Sequence, residues 1–332
     1  GASIGLCKGR IEVRLGDEVI QSIPTQWVRQ IMIFGRSSLT CPMIHHCCSQ
    51  NVPVVFLSTG GQYRGRLHSH TFPSVSLLRT QLRFRASLDR RTHVARAVVI
   101  GKLHNQRKLL QRRNWRIKSG HVSRQANLLK DLANGIGEQT SLEALNGYEG
   151  RGAVAFFDAL REFIPEEFAY SGRNKRPPRD PVNALLSFGY TLLFQQMESL
   201  ILAHGAHPAI GCYHKRTKRF SCLAADLMEE FRAPVVDALV LRLVNQRVVG
   251  SQDFIVRKGR SRGCQMEDAA RRAFLSEFAG QMERPSIHPD REEPTTLAGC
   301  MLLQVRRFIH TLRHPEIPYE PFLCHFDRMP IS

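Results

Sequence analysis

The densest run of chemistry-bearing side chains is Pro208–Arg232, PAIGCYHKRTKRFSCLAADLMEEFR. His214 is followed by the basic run Lys215–Arg219, then by a helical segment that sets Asp226 and Glu229 three residues apart on roughly one helix face. One imidazole among carboxylates suits a hard divalent cation such as Mg2+ or Mn2+, and suits structural zinc poorly. A third carboxylate, Glu149, lies in GYEGRG at the expected mouth of a helix over Arg151–Ile164. Its flanking glycines permit a tight approach to a buried site, although an acid at a helix start serves equally as a favourable terminus charge. Held together, Glu149, His214 and Glu229, with Asp226 nearby, could bind one divalent ion and neutralise charge on a transferring phosphoryl group. Spacing alone does not bring Glu149 to the helix that carries Glu229.

The elements that must position these groups fall into two regions, and the pattern predicts an α+β chain. Residues 1–72 read as a small β-rich domain. Ile11–Leu15 alternates, Gly16-Asp17 can turn, and Ile31–Phe34 and Val52–Leu57 are apolar enough for buried strands. Thr40 and Pro42 suggest a short capped helix, and Tyr63–Leu67 an exposed basic edge. After a boundary near Phe72-Pro73, residues 73–332 read as a larger, mainly α-helical domain that carries the candidate site residues and most of the basic runs. Asp180-Pro181 caps a long apolar helix through about Leu202. The Asp226–Glu229 helix should end near Ala233-Pro234, with another helix over Val235–Val244. Residues 77–134 are rich in Arg and Lys, with Arg79, Arg83, Arg85, Arg90, Arg91, Arg96, Lys102, Arg107, Lys108, Arg112 and Arg113 on the face opposite an apolar stripe.

The formal charge of +18 over 332 residues, with 42% hydrophobic content, points to a folded protein with an anionic partner, nucleic acid above all. No segment is apolar enough to span a bilayer, so the expected setting is soluble and cytoplasmic, with no membrane. Nine cysteines without repeated spacing argue against a disulfide framework.

The ordered strings GYEGRGAVAFF, RPPRDPVNALLSFGYTLL and HPAIGCYHKRTKRFSCLAADLMEEFRAPVVD closely resemble the CRISPR adaptation integrase family, the conserved CRISPR-associated endonuclease/integrase of spacer acquisition. The resemblance covers essentially the whole chain. It implies metal ligation by Glu149, His214 and Glu229, the last an Asp in many members. It makes Asp226 a site residue, either direct ligand or orienter. It further implies an asymmetric homodimer built on the β-rich domains, a small ferredoxin-like partner dimer, and binding of double-stranded DNA with 3'-hydroxyl ends and of CRISPR repeat DNA. The implied reaction is metal-dependent attack of those hydroxyls on phosphodiesters, inserting short foreign DNA into the array. Some members of the family are fused behind an iron–sulfur nuclease domain, so this chain could be the integrase part of such a fusion. Two other readings share the same residues: a structure-specific nuclease that does not integrate, and a noncatalytic DNA scaffold.

Overall fold

The computed structural model describes residues 1–67, 74–137, 140–175, 177–215, 220–257, 263–291 and 293–326. It divides into two compact units, Gly1–Val75 and Ser76–Ser332. The boundary expected at Phe72-Pro73 lies outside the described residues, as do most of the basic runs Lys215–Arg219 and Arg257–Arg262.

The first unit is β-rich. Strands β1 (Ser3–Cys7), β2 (Arg10–Leu15), β3 (Glu18–Pro24) and β5 (Ser38–Leu39) form one sheet in the order β3-β2-β1-β5, and β4 (Ile31–Phe34), β6 (Val54–Leu57) and β7 (Tyr63–Leu67) form a second in the order β4-β6-β7. The β2–β3 hairpin turns at Gly16, whose φ of 63° is the left-handed conformation that a side chain resists. Helix α1 (Cys41–Ser49) starts where Thr40 accepts the Met43 N–H, with Pro42 in the first turn. Ile11, Ile33, Met43, Cys47 and Val54 form the core of this unit.

The second unit is helical and is built on α3 (Leu88–Ile117), a 30-residue helix roughly 45 Å long that begins at an N-cap bond from Arg90 N–H to Ser87. From Val94 to Leu110 it is buried on nearly every face, as a helix central to its domain must be. It packs against α4 (Gly120–Asn134), α5 (Leu142–Leu160) and the turns following α7 (Cys222–Met228). Helix α2 (Val75–Ala86) precedes α3. Helix α6 (Pro181–Ala203) starts at Asp180, which accepts the Asn183 N–H, with Pro181 in the first turn. After α8 (Ala238–Asn245) come the hairpin β8 (Phe254–Arg257) and β9 (Gly263–Met266), helix α9 (Asp268–Met282), the short pair β10 (Pro285–Ser286) and β11 (Thr295–Thr296), and α10 (Leu297–Arg313).

Three local expectations change. Helix α5 starts at Leu142, capped by Ser141, so Glu149 sits in mid-helix and not at a helix mouth. A glycine of GYEGRG serves packing instead: a Cβ on Gly152 would lie 2.2 Å from Leu103 of α3. The chain also does not break at Pro234. Past Met228 it tightens into a 3-10 turn (Glu229–Phe231) and widens into a π-helical stretch (Arg232–Asp237) that runs straight into α8. The wide turn accommodates a proline that has no N–H to donate. Finally, Lys102 is 5% exposed and faces the interior, away from any solvated basic face.

Candidate metal centre

The site is assembled from four segments of the helical unit: α3, α5, the loop Pro208–Lys215 and the backbone from Cys222 to Arg232. Asp226, fully buried on α7, organises the loop. Its Oδ2 accepts the N–H groups of Cys212 (2.6 Å) and Tyr213 (3.0 Å), and its Oδ1 accepts the His214 N–H (2.9 Å) and stands 2.7 Å from His214 Nδ1. Such closeness needs Gly211, because a Cβ there would sit 2.4 Å from Asp226 Oδ2. Three side chains brace the loop from α2 and α3. Gln81 Nε2 donates to the carbonyls of His207 and Ile210, Arg85 to that of Gly211, and Arg91 Nε to that of Cys212. Two arginines expected on the basic face opposite the apolar stripe thus hold the site loop in place.

With His214 Nδ1 engaged by Asp226, Nε2 is left with its lone pair, 3.9 Å from Glu229 Oε1. Burial alone would lower the His214 imidazole, but the bond to Asp226, reinforced by Glu229 and Glu149, raises it above its ordinary value. Glu229 Oε1 also pairs with Arg232 Nη2 at 2.8 Å, and the Arg232 guanidinium lies 4.7 Å over the Tyr190 ring. Glu149 Oε2 accepts the Tyr213 hydroxyl at 3.0 Å, while Oε1 pairs with the Lys102 ammonium. The same ammonium lies 2.7 Å from Glu229 Oε2. Burial would push the Glu149 carboxyl up, but Lys102 and Tyr213 outweigh it and hold the group down to about 2.

The structure therefore brings Glu149, His214, Asp226 and Glu229 together, with a lysine between two of the acids. Among the described residues, no three His, Cys, Asp or Glu side chains converge closely enough to grip an ion in this arrangement. The donor set nevertheless suits a hard divalent cation. Glu229 Oε2 is buried without a well-aligned hydrogen bond, Glu149 and His214 are partly open, and the carboxylate behind His214 gives the orientation that metal-binding imidazoles use. Glu230 points elsewhere, into a buried network with Tyr319, Gln304 and the Phe322 N–H.

Sequence reading missed Lys102, Tyr213 and Arg232 as members of the site. For Lys102 a signal existed: it follows Val94 and Val98 at four-residue steps, on the apolar stripe itself. Tyr213 and Arg232 carry no comparable mark, since a tyrosine beside a histidine and an arginine after an acidic pair are common surface patterns.

The family described as CRISPR associated protein Cas1 matches residues 1–280. The chain is 33% identical to the CRISPR-associated endonuclease Cas1 3 of Thermus thermophilus, covering 94% of this chain and 91% of that protein. It is also 33% identical to a CRISPR-associated exonuclease Cas4/endonuclease Cas1 fusion of Geobacter sulfurreducens, covering 88% of this chain and 53% of the fusion. Its fold matches a chain of a Cas6-RT-Cas1–Cas2 complex with a TM-score of 0.81 at 23% identity, over 97% of this chain and 35% of that one. Among the described residues no helix is long and apolar enough to cross a membrane. The strings around Glu149, His214 and Glu229 fall within the matched span, and the chain belongs to the Cas1 family of metal-dependent endonuclease/integrases of CRISPR spacer acquisition.

Proposed function

We propose that Glu149, His214 through Nε2, and Glu229 hold a Mg2+ or Mn2+ ion, and that Asp226 acts as the orienter of His214 and not as a ligand. The observation that carries this reading is that a loop, a mid-helix glutamate and the first residue of a 3-10 turn deliver these donors to one place, with both Asp226 oxygens already engaged. When bound, the ion supplies charge that stabilises a phosphodiester under attack and favours the deprotonated form of the attacking hydroxyl. Tyr213 holds Glu149 in place, and Asp226 fixes the tautomer and direction of His214. Exposed Arg79, Arg83 and Arg90 lie outside this network and are suited to gripping phosphates, which positions DNA without reading its bases.

On this reading the substrates are double-stranded DNA with free 3'-hydroxyls and the repeat boundary of a CRISPR array. The β-rich unit serves homodimerisation and the helical unit serves catalysis. A small ferredoxin-like partner dimer is expected, in line with the Cas2 named in the similar Cas6-RT-Cas1–Cas2 complex, and an iron–sulfur nuclease domain is a further candidate partner, in line with the relative that is an exonuclease Cas4/endonuclease Cas1 fusion. Incubating the protein with supercoiled array DNA, a 3'-hydroxyl duplex and Mg2+ or Mn2+, with and without the partner, tests the reading. Joined products are expected, and Glu149→Ala or His214→Ala should abolish joining while leaving most DNA binding. Cutting without joining would favour the nuclease, and equal activity of the variants and wild type would remove the metal site.

A further inference from the structure

Lys102 stands where a bound cation would be expected. Its ammonium is buried, pairs with Glu149 Oε1 and lies 2.7 Å from Glu229 Oε2. Two carboxylates this close repel without a positive charge between them. Glu149 and Glu229 face Lys102 and Arg232, so these two carboxylates already have two resident cations, while the charge of Asp226 is stabilised by the N–H donors around it. A divalent ion added to these carboxylates meets two cations already paired with them, and is opposed unless the lysine moves or an anion arrives.

We propose that Lys102 is a built-in placeholder cation, a positioning residue that holds Glu149 and Glu229 in register before the metal arrives and competes with it for their oxygens, so that metal and DNA phosphodiester bind in mutual support. The inference rests on Glu149, His214 and Glu229 being the metal ligands. Once an ion takes the carboxylate oxygens, the released ammonium is free to pair with the incoming phosphate. Metal affinity is then low in the free protein and rises when DNA is present, and by thermodynamic linkage the metal raises DNA affinity by the same factor.

The test is calorimetric titration of the full chain with MnCl2, with and without a duplex whose 3' ends are dideoxy-terminated so that no joining occurs. Wild type should bind Mn2+ about tenfold or more tightly with the duplex present. Lys102→Met should bind Mn2+ about tenfold more tightly than wild type without DNA, lose most of the DNA-dependent gain, and melt at a lower temperature that Mn2+ restores. Lys102→Arg, which keeps the charge, should bind Mn2+ as weakly as wild type. A wild-type affinity unchanged by the duplex overturns the inference without recourse to any variant, as does Lys102→Met binding no more tightly than wild type. Glu149→Gln and Glu229→Gln separate the two levels. If they lose Mn2+ binding while Lys102→Met behaves as wild type, only the placeholder role fails; if they bind Mn2+ as wild type does, the ligand assignment itself fails.

Discussion

Asp226 Oδ1 lies 2.9 Å from the backbone nitrogen of His214 and 2.7 Å from Nδ1 of its ring, so one carboxylate oxygen fixes both the main chain and the imidazole of the same residue. Asp226→Asn preserves the shape but replaces one acceptor with a donor, which must face either the ring or a backbone N–H. Mn2+ affinity should fall about 10- to 100-fold, the usual cost of losing a group that orients a metal-binding histidine. Calorimetric titration of the folded variant measures this, and an unchanged affinity would contradict the role given to Asp226.

Gly211 and Gly150 make a paired test of packing. A Cβ on Gly211 would lie 2.4 Å from Asp226 Oδ2 and 2.7 Å from Leu223 N, neither of which can yield. Gly211→Ala should therefore destabilise by about 1–3 kcal/mol and dismantle the loop that carries His214. Gly150, in mid-helix with nothing within 4 Å of its hypothetical Cβ, should gain about 0.5–1 kcal/mol on substitution by Ala. Thermal melts of the two variants should move in opposite directions.

Glu230 ties the C-terminal segment to the core. Its carboxylate accepts the Tyr319 hydroxyl (2.7 Å), Gln304 Nε2 (2.7 Å) and the Phe322 N–H (2.8 Å). Asn105 of α3 completes the attachment by donating to the carbonyls of Glu230 and Phe322 and accepting the Cys324 N–H. Glu230→Ala leaves the buried Tyr319 hydroxyl and Phe322 N–H without an acceptor, while Gln304 Nε2 keeps Tyr319 and the Glu320 carbonyl, and should cost about 3 kcal/mol, against about 1 kcal/mol for Tyr319→Phe. Denaturant titration ranks the two, and limited proteolysis should cut the segment after Arg313 much faster in Glu230→Ala.

Asp237, bonded to Tyr190 behind Arg232, supplies a pH dependence from outside the proposed set of metal ligands. Burial raises its carboxyl from 3.8 to about 7, against the opposing effects of the Tyr190 hydroxyl, Arg232 and Arg173. An acid whose folded pKa is raised contributes stability that is complete below the unfolded pKa and is lost as pH rises through the folded one. The folded protein keeps this proton up to about pH 7 while the unfolded chain loses it near 3.8, so at most about 4 kcal/mol is lost progressively between those two values and stays lost above them. Asp237→Asn keeps an acceptor for Tyr190 and removes the titration. Its melting temperature relative to wild type should rise between pH 5.5 and pH 8.5, and parallel curves would refute the assignment.

Local signals in the chain were sufficient for much of the architecture. Gly16 in the hairpin turn, Thr40 ahead of Pro42, and Asp180-Pro181 at the head of α6 each act on neighbours within a few residues, so their effects can be read in order along the sequence. The charge of +18 and the strings around Glu149, His214 and Glu229 likewise specified the class of partner and the family. What stayed hidden is the chemistry of contact. Lys102 and Glu149 are 47 positions apart, and nothing in their spacing says that one neutralises the other. A lysine reads as solvated until packing shows that α5 and the turn after α7 close over it, and a glycine reads as a turn until Leu103 occupies the space beside Gly152. Burial and through-space charge depend on segments distant in sequence, so only the tertiary structure decided which cation stands between the carboxylates and which acid holds the histidine.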